Sequence, residues 1–559
     1  MGTRIWAHSQ SAQIRVLVLL SVILLIGLWM RSDGLSRFHH VRSVQTHSGH
    51  PVARLVEANQ AHLTKLHSEQ SRTLKDARNE YQRRYHRQPP LGFDTWFRLA
   101  REHDFVLIDE FDTFMESLEP FFGVPPNVLQ HRLQAAFELE PDRFGMIKFE
   151  DGSVNMSEGV TGLFKRLMPH REWAEYIPYN VTLLVNDWDE PMVSVPFPEV
   201  TKAKEAAQKS GMGWPKDSSA TSYSPFDFSF IETGKQNGWA ATSQACSIES
   251  PSRQLSCSLP SVEDPLNFVT DVKSSRDVCQ NCDLLATHGL LVSPGNMHIA
   301  HSLTPIWSAS KPSHFNDILY PSAYYVGARD NYDSDFDNAW EEKESNFYWT
   351  GSSTGGWATS RTWNHMQRQR MVLKTNNLSE PIQLLKEVSN REWQPYLTTM
   401  DEVADHFSTR ITNIVQCTDE ACQTQKEIFG IPEEHHDDPQ EAAYRHKFVL
   451  DIDGNGFSGR FYRLLQSRSV VVKQTIFSEW HDDRLIPWVH YVPLSTLYAE
   501  LPELARFLAT TEEGLRISER IARESTDWHD KALRDIDLQL VWLRMILEFG
   551  RLMNPEMHT

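Results

Sequence analysis

The chain has no basic excess, no internal repeat and little cysteine. Its 55 Lys and Arg are outnumbered by 74 Asp and Glu, leaving a formal net charge of −19. A surface of that sign repels phosphate backbones, which argues against nucleic acid as a partner. It does not identify a substrate. The six cysteines are Cys246, Cys257, Cys279, Cys282, Cys417 and Cys422. Cys279 and Cys282 have the spacing of a redox or zinc pair. No second close Cys/His pair has zinc spacing, however, and no thioredoxin-like pattern surrounds them. Disulfides are the expectation, with their connectivity open.

Long apolar runs are equally scarce. The clearest covers residues 16–30, bounded by Arg15 and Arg31 and softened only by Ser21 and Gly27. It falls short of the ~20 residues of a full span, yet thin early secretory membranes accept shorter helices. No small-x-small cleavage site follows it, since Trp29, Met30 and Arg31 stand there. An uncleaved signal anchor is therefore expected, with residues 16–30 in the membrane. Arginines on both sides leave the orientation undecided by charge. All six cysteines and three glycosylation sequons, at Asn155, Asn180 and Asn377, lie downstream. Together they place the bulk of the chain in an oxidising lumen. The protein reads as single-pass type II in the Golgi or endoplasmic reticulum membrane, with residues 1–15 cytoplasmic.

At 559 residues the chain is too long for one ordinary domain. Residues 31–88 are polar, with helical spacing from Leu55 to Tyr85, and read as a luminal stem. A first lobe is expected over 89–331, its clearest strand at 181–185. Within it, 201–275 is rich in Ser, Pro, Gly and Lys and reads as a surface excursion. A second lobe follows over 332–500. The tail, 501–559, is helical, with apolar residues recurring at Leu538, Val541, Trp542, Met545, Ile546 and Phe549.

The segment 446–495 carries the chemistry. An apolar run at 448–452 enters a glycine-studded turn at 453–459. A helix-patterned stretch follows at 460–465, then a β-branched run at 469–472. Strand, loop, helix and strand in that order form a βαβ unit of a parallel sheet, whose ligands sit at the carboxyl ends of the strands. Gly454, Gly456, Ser458 and Gly459 let an anion approach the backbone, and Arg460 adds a permanently charged donor fork suited to a diphosphate. A nucleotide-diphosphate site is expected over Asn455, Gly456, Phe457, Ser458, Gly459 and Arg460. Three plainer readings compete. Asn455-Gly456 is a hairpin signal. Asp451, Asp453, Asn455 and Gly456 copy half of a calcium loop, but Tyr462 stands where its bidentate Glu belongs. Asp451 and Asp453 also imitate the acidic pair of metal-dependent transferases.

DIDGNGFSGRF, followed by Glu479-Trp480 and PWVHYVP, resembles the family of fungal capsule-associated glycosyltransferases and Rumi-type protein O-glucosyltransferases (glycosyltransferase family ninety), on its capsule-associated side. NDWDEP at 186–191, SASKPSHFNDILYP at 308–321 and FYWTGS at 347–352 look like further blocks of the same family, in order. The resemblance implies an α/β protein of the GT-B type. Two Rossmann-like lobes would face a cleft after the membrane anchor and helical stem, with the last helix crossing back to the first lobe. It implies an inverting transfer from a UDP-sugar, xylose or glucose, to a hydroxyl of a glycan or glycoprotein. Asp189 stands where the family's acidic loop supplies the base, with Asp187 beside it; an Asp before Glu-Pro is also a common turn residue. Ser352 matches a nucleotide-contacting serine. Arg370 matches a second phosphate-binding arginine, although the Gly/Ser/Thr-rich stretch 353–361 leaves Arg368 an equal register. Lys311 and Asp317 fall near the cleft, and Glu479 and Trp480 bracket the donor unless Trp480 is core. With arginine and helix N–H groups on the leaving group, no cofactor or metal is required; a divalent metal on Asp451 and Asp453 is the alternative chemistry. A catalytically inactive carbohydrate-binding protein of the same fold is the alternative function. Rumi-type members carry Arg where this chain has Trp188, so the resemblance extends to the base but not to acceptor or sugar preference.

Overall fold

A computed structural model describes residues 49–558, apart from 158–159, 161, 169–170, 210–227, 236, 256–260, 331, 390–391 and 433–437. The apolar run at 16–30 lies outside these residues. Among those described, no helix is long and apolar enough to cross a membrane. The chain divides into two units. The smaller comprises residues 1–50 and 387–393, and within it the His50 ring meets Trp393 edge-on at 4.8 Å.

The first helices of the larger unit, α1 (Pro51–Glu69) and α2 (Leu74–Tyr85), replace the expected free-standing stem. The Thr73 side chain accepts from the Asp76 amide while Asp76 caps the Thr73 amide, a reciprocal box that starts α2. Both helices are polar overall, yet each buries a narrow stripe: Val52, Val56 and Leu63 on α1, Ala77 and Tyr81 on α2. Tyr81 reaches far enough in to donate to the Glu548 carboxylate at 2.9 Å. Two or three apolar residues at i, i+4 spacing suffice to dock a helix whose other faces stay wet. Residues 51–85 are therefore part of the globular body, a correction to the spacer reading.

The first lobe is built on a five-stranded sheet in the order β2-β1-β3-β4-β5. Its strands are β1 (Phe144–Glu150), β2 (Ser153–Met156), β3 (Val181–Asn186), β4 (Ile306–Ser308) and β5 (Ile318–Leu319). β3, β4 and β5 run parallel, whereas β1 is antiparallel to both neighbours. The β1–β2 pairing has a local cause: Asp151 (φ 49°) and Gly152 (φ 73°) make a two-residue turn of left-handed residues, the kind that closes a hairpin. The surface excursion is stapled back by a disulfide between Cys246 and Cys279, and its strand Phe230–Glu232 pairs with His298–Ala300. Cys417 and Cys422 form a second disulfide, and Cys282 is also disulfide-bonded. All three sequon asparagines are exposed.

The second lobe holds β6 (Glu344–Ser352), α3 (Gln367–Asn376), β7 (Phe407–Asn413), β8 (His446–Ile452), α4 (Phe461–Gln466), β9 (Val470–Gln474) and β10 (Val492–Leu494). The strand order is β7-β6-β8-β9-β10, and every pair is parallel. β8, α4 and β9 form the βαβ unit read from the sequence, with Phe448 opposite Val470 and Ile452 opposite Gln474. Such a sheet is covered on both faces, which explains why Phe448, Val449, Leu450 and Val470 to Val472 are all buried.

The tail closes the structure. α5 (Leu501–Thr510) packs on β6, and α6 (Glu512–Ala532) packs on α4 and β9. The last helix, α7 (Asp535–Met553), lies instead against the first lobe, on β3 and on the helix Phe93–Glu102. Trp542 stacks on Trp307 of β4 with ring centroids 5.5 Å apart. The segments Ser310–Lys311 and Ser478–Glu479 also pair antiparallel, a second tie between the lobes.

Candidate active site

Where β8 ends, a cavity of about 970 Å³ opens. Its floor is the loop after β8, and that loop is held from several sides. Asp453 is fully buried, accepts from the Ile476 amide at 2.9 Å and faces His288 at 3.2 Å. Asn455 Oδ1 accepts from the amides of Gly355 (3.2 Å) and Gly356 (3.0 Å). Both of these glycines have φ near +120°, a conformation closed to other residues. The Gly/Ser/Thr-rich stretch that obscures the alignment is thus the partner that shapes the glycine loop.

Two arginines face this loop. Arg368, from α3, is buried and donates to the carbonyls of Asp453 (2.9 Å), Ser352 (3.1 Å) and Ile452 (3.3 Å), and to Thr354 Oγ1 (2.5 Å). Arg460, the N-cap of α4, is half-buried and donates to Thr350 O at 2.9 Å. The Trp349 ring lies within cation–π range of both guanidiniums, at 5.6 Å from Arg368 and 5.8 Å from Arg460. Among the described residues no carboxylate lies within ion-pair distance of either. Burial, and then the Arg460 charge, push the Arg368 pKa down to about 9; burial lowers Arg460 as well. Asp451 and Asp453 attract Arg368 from further off, and Asp451 attracts Arg460, but with no carboxylate in contact the two neighbouring cations favour a bound dianion. Arg460 has most of its N–H fork free for that ligand.

The opposite rim is the acidic loop after β3. Asn186 organises it: its amide nitrogen donates to Glu190 O (2.8 Å) and Ser308 Oγ (3.1 Å), and its oxygen accepts from the Trp188 amide (3.0 Å). The Glu190 carboxylate accepts from the amides of Gly295 (2.8 Å) and Asn296 (3.0 Å), which fixes the loop's far end. Asp189 is left over, with no hydrogen-bond partner for its carboxyl among the described residues. It opens onto the cavity, yet the enclosing walls desolvate it and raise its pKa, an effect that Arg368 partly offsets. Asp187 is raised too, by burial and by Asp189.

Other residues singled out in the sequence fall into two groups. Ser352, Asn455, Phe457, Ser458, Gly459 and Arg460 line the cavity with Asp189, and Gly456 lies beneath it against Asp189. Arg370 does not line it; its guanidinium donates to Thr496 O (2.7 Å) and Thr287 O (3.3 Å). Residues two apart on a helix point about 200° away from each other, so only one of Arg368 and Arg370 can face the loop. Glu479 and Trp480 are buried in the core. Glu479 accepts from the Tyr325 hydroxyl and lies 3.6 Å from Lys473, with its pKa pushed up to about 7 by burial. Lys311 donates to Asp317 O at 2.7 Å. Asp317 is buried and accepts from Ser308 Oγ (2.6 Å) and the amides of Met192 (2.8 Å) and Val193 (2.9 Å), so it anchors the chain just past the acidic loop. The alternative metal pair is committed elsewhere. Asp451 is ion-paired to Lys473 at 2.9 Å, Asp453 is engaged as above, and neither lines the cavity. Tyr324, Tyr348, Thr354 and Asn413 line it without having been read from the sequence, because nothing in their spacing distinguishes them from core or loop residues.

Residues 293–559, a little under half of the chain, match the family model described as Glycosyl transferase family 90. Similar curated proteins include the O-glucosyltransferase rumi homolog of Aedes aegypti, 23% identical over 47% of this chain and 59% of that protein. Protein O-glucosyltransferase 1 of Rattus norvegicus is 20% identical over 45% of this chain and 58% of its own length. O-glucosyltransferase rumi of Drosophila melanogaster is 22% identical, over 45% and 56%. The chain thus spans less than three fifths of the relatives it matches. The family match contains Ser352, both arginines and the glycine loop, while Asp187 and Asp189 precede it.

Proposed function

We propose that the chain is an inverting, UDP-sugar-dependent glycosyltransferase of the two-lobed GT-B kind. It transfers one sugar to a hydroxyl of a glycan or glycoprotein. The observation that carries this reading is the pair of guanidiniums, Arg368 and Arg460, left without a carboxylate beneath a cavity whose opposite rim is the unpartnered carboxyl of Asp189. The relatives' names support glucose as the donor sugar, and the sequence resemblance adds xylose.

In this reading Asp189 takes the proton of the acceptor hydroxyl as its oxygen bonds to the anomeric carbon from the side opposite the diphosphate. The bond from that carbon to the phosphate oxygen breaks, and its electron pair leaves with UDP. Arg460 and Arg368 meet the charge that builds on the diphosphate, and the amides around Asn455 to Gly459 add hydrogen bonds. A base whose pKa is raised toward the working pH is a better proton acceptor. Two fixed cations make a divalent metal unnecessary. The setting is the lumen of the Golgi or endoplasmic reticulum, with residues 16–30 as a type II anchor.

The test is a panel of nucleotide sugars given to the purified chain, with released UDP as the readout. One UDP-sugar should be turned over, and Asp189→Asn should abolish turnover while still binding UDP. Full activity of Asp189→Asn would remove the base from this scheme.

A further inference from the structure

Trp188 and Tyr324 are anomalous for residues of their size. Both rings are left substantially exposed, 43% and 56%, although large aromatic side chains ordinarily gain by burial. Trp188 is nevertheless held. The Arg143 guanidinium lies 4.2 Å from its ring centroid, and Arg143 is itself ion-paired to Glu140 at 2.7 Å. The Arg143 carbonyl accepts from the Asp187 amide at 3.1 Å, tying the same loop at its root. An exposed ring fixed on a cation is a platform.

The two rings border a small second pocket of about 30 Å³. Asp189, Tyr324 and Phe457 line both this pocket and the large cavity, so Asp189 lies where the two adjoin. The arginines line only the large cavity and Trp188 only the small pocket, while Tyr324 borders both.

We infer that Trp188 and Tyr324 form the acceptor subsite, and that its occupant is a pyranose ring of a glycan rather than a serine or threonine of a polypeptide. This rests on the proposed transfer reaction. A pyranose has an apolar C–H face suited to an aromatic platform, and a rim of hydroxyls suited to the carboxylates Asp187 and Asp189. The pocket is too small for a whole pyranose but admits a reacting hydroxyl, while the ring stays outside on the aromatic faces. A polypeptide would bring backbone N–H and C=O groups that need partners. The strands at this pocket are β1 and β3, paired at Gly145–Val185 and Phe144–Asn186, and neither is an edge strand of the sheet.

The experiment supplies the full chain with UDP-glucose and UDP-xylose, and with either methyl hexopyranosides or a serine-containing peptide as acceptor. Transfer to a glycoside is expected. Trp188→Ala should raise the KM for that glycoside at least tenfold with a smaller change in kcat, while UDP affinity by calorimetry is unaltered. Trp188→Phe should recover most of the loss. Transfer to the peptide, UDP release with transfer to neither acceptor, or an unchanged glycoside KM in Trp188→Ala would each overturn the subsite and leave the transferase reading intact. No UDP release from any nucleotide sugar would instead remove the transferase reading, and the subsite with it.

Discussion

Gly456 and Asp189 meet backbone to backbone: a methyl group on the glycine would lie 2.3 Å from the Asp189 carbonyl oxygen. The loop that ends β8 therefore sets the position of the loop that ends β3, across the two lobes. No side chain fits between them, whatever the backbone angles of the glycine. Gly456→Ala should push the two loops apart. A displacement near 1 Å at a reacting group lowers kcat/KM by about a hundredfold. Steady-state kinetics beside a melting curve would check this, since the melting temperature should fall by only a few degrees.

The two arginines should separate from Arg370 by phenotype. Arg460→Ala removes a cation whose fork is mostly free, so UDP binding should weaken by roughly a hundredfold, and less steeply at high salt. Arg370→Ala should leave UDP affinity unaltered and cost about 1–3 kcal/mol of stability, because its partners are the Thr287 and Thr496 carbonyls. Calorimetry with UDP and chemical denaturation of the same two variants measure both effects.

The acid limb of the rate profile should report Asp189. Desolvation raises its carboxyl above the ordinary aspartate value of 3.8, and only the ionised form accepts a proton. kcat/KM should therefore fall on acidification with an apparent pKa above 3.8. Arg368 acts in the opposite direction, so removing its charge should move that limb to still higher pH.

Stability should respond to Glu479 with the opposite sign to an ordinary salt-bridged acid. Its pKa rises from 4.5 in the unfolded chain to about 7 in the fold, chiefly through burial. Between those values the folded state binds more protons, so this group's contribution falls as pH rises through the window. Lys473, Asp451, Asp482, Tyr325 and His481 surround it, and the buried His314 and His490, lowered to about 3, act the other way below pH 6.5. The difference between wild type and Glu479→Gln isolates the group. The variant should gain on wild type from pH 4.5 to 7 by at most about 3 kcal/mol.

How far the sequence disclosed this site depended on the kind of signal. The βαβ unit was legible because β8 and β9 are buried on both faces and so read as unbroken apolar runs around a glycine loop. The register of α3 was not, because glycines that shape a loop against Asn455 look like an insertion in a linear string. The docking of α1 and α2 was hidden by composition: polar residues outnumber the stripe that packs, and composition averages over faces. Asp151-Gly152 is a hairpin signal for β1 and β2 alone, and no local cue announces the antiparallel pairing of β1 with β3. Trp188 stood out as a departure from relatives, but its exposure and its stack on Arg143 belong to three dimensions.

The most direct measurement is a crystal structure with UDP bound, paired with calorimetry on Arg368→Ala and Arg460→Ala. The diphosphate should lie against both guanidiniums and the amides of the loop after β8, and each substitution should weaken binding at least tenfold. A nucleotide seated elsewhere, or an affinity indifferent to both substitutions, would contradict the assignment of this cavity to the donor.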